Sequence, residues 1–239
     1  MVEMRRRLVY SVIAVAITTA AAFVFADRIF AVLLRPIGDV QVVFTQVTEM
    51  LGTYFTLSLT IGLAAALPFI LLQVVWFVSP ALYPREKLLV YSMVPAALVA
   101  FAAGAAFGYL VLLPPALKFL LGFGADIAAP FIKVGSYISL VTRLLFWIGV
   151  AFETPVVVFL LAKVGIVTAR ALLRKWRLAV VCAFILGAMI TPTFDPVNQS
   201  LVALPLVALY GISIGLAYFA QVGRRKRPRQ VGAAEQAVE

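Results

Sequence analysis

An acidic residue, Glu153, stands inside one of the most apolar stretches of this sequence. A carboxylate near the middle of a membrane-spanning helix costs about 2.5–3.5 kcal/mol, so Glu153 should face protein or water. Arg143 is about 15 Å away along a helix and on a different face, so it is not the partner. Glu153 is therefore either a protonated structural acid, satisfied by a neighbouring hydroxyl or amide, or the polar lining of a pocket or proton site.

Two other acids, Glu3 and Glu86, lie among clusters of arginine and lysine. Each has a structural explanation: Glu3 can pair with Arg7 one helical turn later, and Glu86 follows Pro84 in the first turn of a predicted helix, where negative charge suits the dipole. As a pair on an otherwise cationic surface they are also suited to binding guanidinium groups, because a carboxylate can accept two parallel hydrogen bonds from one arginine.

Two amides, Gln73 and Gln199, also fall within apolar stretches. Hydrogen bonds between helices in a membrane contribute about 0.6 kcal/mol on average, and this role is the simplest explanation for Gln73. Gln199 lies one turn after Asp195-Pro196, which has the pattern of an N-cap followed by proline at the first helical position. This pattern predicts the start of a helix.

Most catalytic chemistry is excluded by the residue types that the chain lacks. It has no histidine, and its one cysteine, Cys182, can form neither an internal disulfide nor a thiolate cluster. No nucleophile is marked beside a base, and no glycine-rich loop follows a predicted strand. The sequence predicts neither an enzyme nor a cofactor or metal site.

The composition indicates a membrane environment. Of 239 residues, 64% are hydrophobic and 13% charged, with a mean hydropathy of +1.08, whereas globular proteins are about 45–50% apolar and about 25% charged. A membrane-spanning helix needs roughly 20 mainly apolar residues. Six stretches meet or approach this length: Leu8–Ala26, Tyr54–Val78, Leu88–Leu113, Tyr137–Lys163, Arg177–Ile190 and Val197–Ala220.

The predicted fold is thus an all-α polytopic membrane protein with a six-helix transmembrane domain over residues 1–223. Residues 224–239 form a basic tail that is predicted to be disordered. Proline cannot donate a helical hydrogen bond and disfavours helix in the residue before it, so the proline-containing pieces between the stretches are predicted helix ends. These pieces are Arg35 to Asp39, Ser79-Pro80 with Tyr83-Pro84, Pro114-Pro115, and Thr191-Pro192 with Asp195-Pro196.

The fifth and sixth helices are expected to be short. The fifth stretch reaches only about 21 Å, against a hydrocarbon core of about 30 Å. Either the hairpin after it lies below the outer surface, with a thinned bilayer or a partner protein, or Arg174, Lys175 and Trp176 extend the helix and snorkel.

Lysine and arginine predict the orientation of the spans. Fourteen of these residues fall on the side of the chain termini, and the other side carries only Arg28, Arg35, Lys118 and Lys133. Both termini are therefore predicted to be cytoplasmic. The net charge of +10 is explained by this topology and by attraction to anionic headgroups, so nucleic acid is not a predicted partner.

Four motifs in order resemble the TatC family, a subunit of the twin-arginine protein translocase, and the resemblance covers Glu3 to about Phe219. The motifs are Glu3-Met4-Arg5-Arg6-Arg7-Leu8, Phe77-Val78-Ser79-Pro80-Ala81-Leu82-Tyr83-Pro84-Arg85-Glu86, Phe152-Glu153-Thr154-Pro155, and Ile190-Thr191-Pro192 with Asp195 and Gln199. The resemblance implies a multi-pass protein of the bacterial or archaeal plasma membrane. It also implies a receptor and scaffold that binds the twin-arginine signal peptides of folded proteins for export driven by the proton-motive force.

Residues that match the family motifs take their expected roles from this resemblance. Glu3 and Glu86 match signal-recognition acids, and Arg5 and Phe77 match positions close to them. Glu153 matches an intramembrane acid that faces a polar pocket.

Other matches concern that pocket and the partners. Thr154 stands where the family more usually has an apolar residue, and it is a candidate hydrogen-bond partner of Glu153. Gln199 matches a polar site where helices of single-span TatA- and TatB-type subunits dock, and Thr191 and Asp195 belong to the same outer motif. Self-association in the complex is also expected.

Two other classes of function stay open from the residues alone. A proton-coupled secondary transporter of a small solute would use Glu153 as its titrating group, although the chain shows no internal repeat. An intramembrane hydrolase would need a serine and lysine pair that nothing in the sequence marks.

Overall fold

The computed structural model describes residues 2–38, 40, 42–78, 84–123, 131–191 and 195–225, and within these ranges only the helical backbone at 2–4, 72, 74–78, 84–94 and 222–225. The described chain is almost entirely helical. Its α-helices are α1 (Val2–Val24), α2 (Ala26–Leu34), α3 (Glu49–Val78), α4 (Pro84–Phe107), α5 (Leu113–Gly122), α6 (Val134–Val164), α7 (Ala169–Arg174), α8 (Trp176–Ile190) and α9 (Pro196–Arg225). A 3₁₀ turn (Arg35–Ile37), a π-helical turn (Gly108–Leu112) and the strands β1 (Val42–Val43) and β2 (Ile132–Lys133) complete it.

Five helical segments of the described chain are long and apolar enough to cross a membrane. They are Arg5–Val24, Glu49–Leu71, Pro95–Gly122, Val134–Val164 and Pro196–Gln221. A sixth apolar helix, α8, has 15 residues and a length of about 22 Å. Trp176 is its first residue, whereas Arg174 ends α7 and Lys175 lies between the two helices.

Three of the predicted proline breaks are confirmed. The 3₁₀ turn contains Pro36 and is followed by Gly38. Glycine readily adopts the φ of 67° found there, whereas other residues would be strained. Helix α3 ends at Val78 and α4 begins at Pro84, and α8 ends at Ile190 and α9 begins at Pro196.

The predicted break at Pro114-Pro115 is wrong. The helix passes from α4 through the π-helical turn directly into α5, and the two prolines lie in the first turn of α5. Proline is tolerated in a first turn because its missing N–H is not required there. The wider π-helical turn rearranges the hydrogen bonds just before this point, so the helix continues to Gly122.

The expectation that the sixth helix is short is also wrong. Helix α9 has 30 residues, which is about 45 Å. The apolar stretch ends near Ala220, but the polar residues that follow contain no proline before Pro228. Nothing therefore stops the helical hydrogen bonds from continuing to Arg225.

Helix α6 is the centre of the bundle and packs against α3, α4 and α9. Its residues Ile138, Val141 and Ile148 are fully buried in one core cluster with Leu57 of α3 and Val202 of α9. Helix α1 lies along α3 at the edge of the bundle, so most of its surface faces outward.

The bundle has two distinct ends. The strand end holds β1, β2 and the first residues of α3 and α6, where Val42 pairs with Ile132 and Val43 with Lys133. The amino end holds the first turns of α1, the last turns of α3, α6 and α9, and α7. The cluster formed by Ala162, Ala169, Ala217 and Ala220 packs α6, α7 and α9 together there.

Candidate functional site

Glu153 is buried within α6, and its side chain has no polar partner among the described residues. The residue is 2% exposed, and both carboxylate oxygens are buried without a hydrogen bond. Pro155, two positions later, also leaves the carbonyl of Ala151 without its usual helical donor. This part of α6 therefore holds two buried carboxyl oxygens that nothing in the described chain satisfies.

A close helix contact fixes the backbone next to Glu153. Gly104 of α4 is so near α6 that a Cβ added there would lie 2.7 Å from Cβ and Cγ of Phe152. A Cβ added at Gly149 would in turn lie 2.6 Å from the ring of Phe101. The Phe152 ring also packs against Phe107, with centroids 5.5 Å apart. Two glycines thus let the two helices approach closely beside the acid.

Thr154 is not the hydrogen-bond partner of Glu153. Neither oxygen of Glu153 has a partner, and Thr154 is an exposed residue that lines a cleft formed by α6, α8 and α9. Successive residues of a helix point about 100° apart, so the two side chains face different directions.

Hydrogen bonds fix the end of α8 and the start of α9. Asp195 accepts from the backbone N–H of Asn198 at 2.7 Å and from its side-chain amide at 3.0 Å, which confirms the predicted N-cap. The Thr191 hydroxyl donates to the Gly187 carbonyl at 2.8 Å, and Gln199 Nε2 donates to the Phe184 carbonyl at 3.0 Å. Gln199 therefore joins α9 to α8.

Of the four residues expected at the amino end, only Arg5 has a described side chain, and it is exposed. The side chains of Glu3, Phe77 and Glu86 lie outside the described part of the structure. Their backbones are helical: Glu3 lies in the first turn of α1, Phe77 at the end of α3 and Glu86 in the first turn of α4.

Two contacts join α1 to α3. The Arg7 guanidinium donates to the Gln73 carbonyl at 3.4 Å, and Thr18 Oγ1 donates to the Gly62 carbonyl at 2.7 Å. The first of these places the beginning of α1 beside the end of α3. Because only five residues separate α3 from α4, the first turn of α4 lies at the same end.

A second acid, the half-buried Glu49, was not predicted from the sequence. Its Oε2 accepts from the backbone N–H of Thr45 at 2.8 Å, and its Oε1 accepts from the backbone N–H of Gly135 at 3.0 Å. Lys133 Nζ lies 3.6 Å from Oε2. This one side chain therefore holds the start of α3 to the start of α6.

Three tyrosines strengthen the same end. Tyr137 donates to the Leu33 carbonyl and Tyr109 to the Val32 carbonyl, both at 2.7 Å, and Tyr54 donates to Asp27 at 2.5 Å. The N-terminal position of Glu49 on an apolar helix was a signal that the sequence offered. Its partners are far away in the chain, and no spacing rule reveals them.

Comparison with known proteins gives a consistent result. A family model described as Sec-independent protein translocase protein (TatC) matches residues 1–205. The TatC protein of Aquifex aeolicus is 39% identical over 234 residues, covering 95% of this chain and 96% of that protein. The TatC protein of Carboxydothermus hydrogenoformans is 37% identical over 218 residues, covering 90% of each.

Solved structures agree with the sequence matches. A crystal structure of the twin-arginine translocase receptor TatC matches with a TM-score of 0.80 and 39% identity, covering 92% of this chain and 98% of that one. A second crystal structure of this receptor, in DDM, matches with a TM-score of 0.82 and 40% identity over 90% of this chain and 97% of that one. The relatives are named as translocase proteins, and nothing in these matches favours a small-solute transporter or a hydrolase.

Proposed function

We propose how this chain works from one premise: it belongs to the TatC family of Sec-independent protein translocase proteins. It is accordingly a membrane-embedded core subunit of the twin-arginine translocase. Our proposal concerns the finer points, namely where the signal peptide binds, where partner subunits dock and how the chain is oriented.

The signal-peptide site is formed by Glu3, Arg5, Phe77 and Glu86 at the amino end. The observation that carries this assignment is the contact between Arg7 and the Gln73 carbonyl. This contact brings the start of α1, which contains Glu3 and Arg5, to the end of α3, which contains Phe77 and is followed by the start of α4 with Glu86. Two carboxylates at one rim suit two consecutive arginines, since each can accept a bidentate guanidinium. An exposed ion pair contributes only about 0–1 kcal/mol, so the apolar segment of the signal must supply much of the affinity.

The intramembrane acid is proposed to receive a polar group from the signal peptide or from a partner helix. Both oxygens of Glu153 are buried without a partner in the described chain, and a buried unsatisfied acceptor costs about 1–3 kcal/mol. An incoming donor would recover that energy. This role uses Glu153 as a docking point within the membrane.

Single-span TatA- and TatB-type subunits are proposed to dock along α8 and the corner at Thr191, Asp195 and Gln199. Helix α8 exposes apolar side chains over its length, with Val181 55% and Met189 65% exposed. At about 22 Å, α8 is shorter than the hydrocarbon core, so a partner helix beside it would relieve the mismatch.

We further propose that α8 is the sixth span and that both termini are cytoplasmic in a bacterial or archaeal plasma membrane. The start of α1 and the end of α9 both lie at the amino end, where the lysine and arginine residues concentrate. The translocase would then receive its cargo signals at the amino end and use the proton-motive force for transport.

A crosslinking experiment tests the signal-peptide site. A photoreactive group is placed at residue 86, and the purified protein is incubated with a twin-arginine peptide or with its twin-lysine counterpart. Strong labelling by the first and weak labelling by the second is expected, because lysine cannot make a bidentate pair. Equal labelling by both peptides would contradict the assignment.

A matched pair of variants sharpens that test. Glu86→Ala should weaken peptide binding by about fivefold at most, in line with the modest strength of an exposed ion pair, while membrane insertion stays intact. Glu86→Asp retains the carboxylate and should bind nearly as the wild type does. Unchanged binding and export with Glu86→Ala would remove Glu86 from the site.

A further inference from the structure

A cleft of about 360 Å³ opens between α6 and α8, with α9 as its floor. The wall on α8 is formed by Ala179, Cys182, Ala183 and Leu186, whose spacing of three or four residues puts them on one face of the helix. Thr154 lies on the opposite wall. The cleft is largely apolar and more than twice the size of an apolar cavity of about 150 Å³ that binds benzene.

The same face of α8 leads to charged residues at the amino end. One turn before Ala179 are Lys175 and Trp176, and both are exposed. The guanidinium of Arg177 lies 5.8 Å from the centre of the Trp176 ring. Tryptophan is enriched where a membrane meets water, so this end of the cleft lies at the headgroup level.

Four exposed cations lie in α7 and at the start of α8, before the α8 residues that line the cleft, and we call them the basic corner: Arg170, Arg174, Lys175 and Arg177. The sequence contains no aspartate or glutamate between Glu153 and Asp195. Within the described part of the chain, none of the four lies within 4 Å of a carboxylate. The corner therefore carries a local positive charge that no carboxylate of the described residues neutralises.

The basic corner is held in place by contacts made on its other side. Thr168 caps α7 by accepting from the Ala171 N–H at 3.2 Å, and Tyr210 of α9 donates to the Leu172 carbonyl at 2.8 Å. Ala169 is buried against α9. The cations are thus presented by a fixed turn of the chain.

We infer that the cleft and the basic corner together form one binding site for an anionic phospholipid, with an acyl chain in the cleft and the headgroup phosphate at Lys175 and Arg177. Charge complementarity favours an anionic headgroup, because the basic corner is cationic and a phosphate can bind both lysine and arginine. The short α8 supports the same occupant, because a bilayer that thins beside it brings headgroups to the level of the corner.

The size of the cleft limits how much of a partner helix could lie inside it. A helix of about 10 Å diameter and 1.5 Å rise occupies roughly 120 Å³ per residue. A cleft of 360 Å³ would hold only about three helical residues. A partner helix would have to lie outside the cleft, on the exposed face of α8.

The site can be tested on the purified full chain by native mass spectrometry. The protein is stripped of lipid in detergent and titrated with phosphatidylglycerol or with phosphatidylcholine of the same acyl chains. Phosphatidylglycerol should bind more tightly and with a stoichiometry of one. The variant Lys175→Gln/Arg177→Gln should lose about thirtyfold in affinity for phosphatidylglycerol. Each lysine or arginine near an anionic surface contributes about five- to sixfold to the affinity, and the variant removes two.

The matched control is Arg28→Gln/Lys118→Gln, which removes the same charge from exposed residues at the strand end. This control should bind phosphatidylglycerol as the wild type does. Equal affinity for the two lipids, no effect of the Lys175→Gln/Arg177→Gln variant, or an equal loss in the control would each overturn the proposal.

Cys182 provides a second measurement that needs no substitution. It is the one cysteine of the chain, it is exposed, and it lines the cleft. Maleimide labelling of Cys182 should be lost when phosphatidylglycerol is bound and should persist with phosphatidylcholine at the same concentration. If Cys182 is protected only when a single-span partner subunit is added, the occupant is a protein and the lipid proposal is wrong.

Discussion

Glu49 and Glu153 are glutamates of the same helical bundle with little exposed side-chain surface, yet their surroundings are opposite. The Glu49 side chain is 6% exposed, and both of its oxygens are bonded, to Thr45, Gly135 and Lys133. Glu153 is 2% exposed, and neither of its oxygens has a hydrogen-bond partner in the described chain. Glu49 links the start of α3 to the start of α6, whereas the oxygens of Glu153 are without a hydrogen-bond partner in the described chain.

This difference separates the two regions by their roles. The strand end has a fully bonded acid, a pair of short parallel strands and three tyrosine hydroxyls that bind backbone carbonyls or Asp27. Such a network resists change of shape, because opening it breaks several hydrogen bonds at once and leaves the buried Leu33 carbonyl without its donor. The middle of α6 has no such network, so a ligand can bind there without breaking existing bonds.

The largest effect on stability is expected for Glu49→Ala. The substitution leaves the N–H groups of Thr45 and Gly135 and the ammonium of Lys133 without their acceptor. Because several donors lose their acceptor at once, the free energy of unfolding should fall by more than in any variant described below, although the fall is limited because Lys133 still reaches water. Thermal unfolding in detergent measures the change.

The control for this prediction is Glu49→Gln, which retains one carbonyl acceptor and should lose less than half as much. If Glu49→Ala melts at the wild-type temperature, the Glu49 hydrogen bonds do not stabilise the strand end, and the contrast between the two regions has no energetic basis.

A smaller loss is expected from Gly104→Ala, which tests the packing beside Glu153. The new methyl group would lie 2.7 Å from Cβ and Cγ of Phe152, and overpacking of this kind costs about 1–3 kcal/mol. Gly211→Ala in α9 is the control, because nothing lies within 4 Å of its Cβ. The control should be stabilised by up to about 1 kcal/mol, since alanine favours a helix more than glycine.

Measurement of both variants in the same detergent decides the matter. A Gly104→Ala protein as stable as the Gly211→Ala protein would mean that α4 and α6 separate freely. The close contact that positions Phe152 next to Glu153 would then be unnecessary.

A loss of about 1 kcal/mol is expected from Tyr137→Phe at the strand end, which leaves the buried Leu33 carbonyl without its donor. Tyr109→Phe removes a bond of the same length to Val32, but Tyr109 is only half-buried, so water can replace it at a smaller cost. Chemical denaturation of the two variants should rank them in that order. The reverse ranking would show that burial does not determine the value of these bonds.

Much of the fold could be predicted from the sequence, because the signals are local. Apolar runs identify the long helices, and the Asp195-Pro196 pattern identifies the start of α9. Pro114-Pro115 misled the prediction, since the π-helical turn just before them leads directly into α5 and places both prolines in its first turn. The length of α9 was missed because polarity was read as the end of the helix.

The site was only partly predictable for a different reason. Glu153 is conspicuous because an acid in an apolar run is costly wherever it points. Its relation to Thr154 could not be read from adjacency, since neighbouring helix residues face different directions. Glu49 was missed because Gly135 lies 86 residues away along the chain, and only the folded bundle brings the two together.

The smallest effect on stability is expected for Glu153→Leu, and this prediction separates the two regions most sharply. Replacing an unsatisfied buried acid by an apolar residue of similar size removes a desolvation cost without breaking a bond. Stability should therefore be unchanged within about 0.5 kcal/mol or should rise, whereas export of a twin-arginine reporter by the assembled translocase should fail. Glu153→Gln keeps a polar group at the site and should retain part of the export. A protein that loses stability with Glu153→Leu as strongly as with Glu49→Ala would mean that Glu153 is a structural acid too, and its unmet oxygens would then have no docking role.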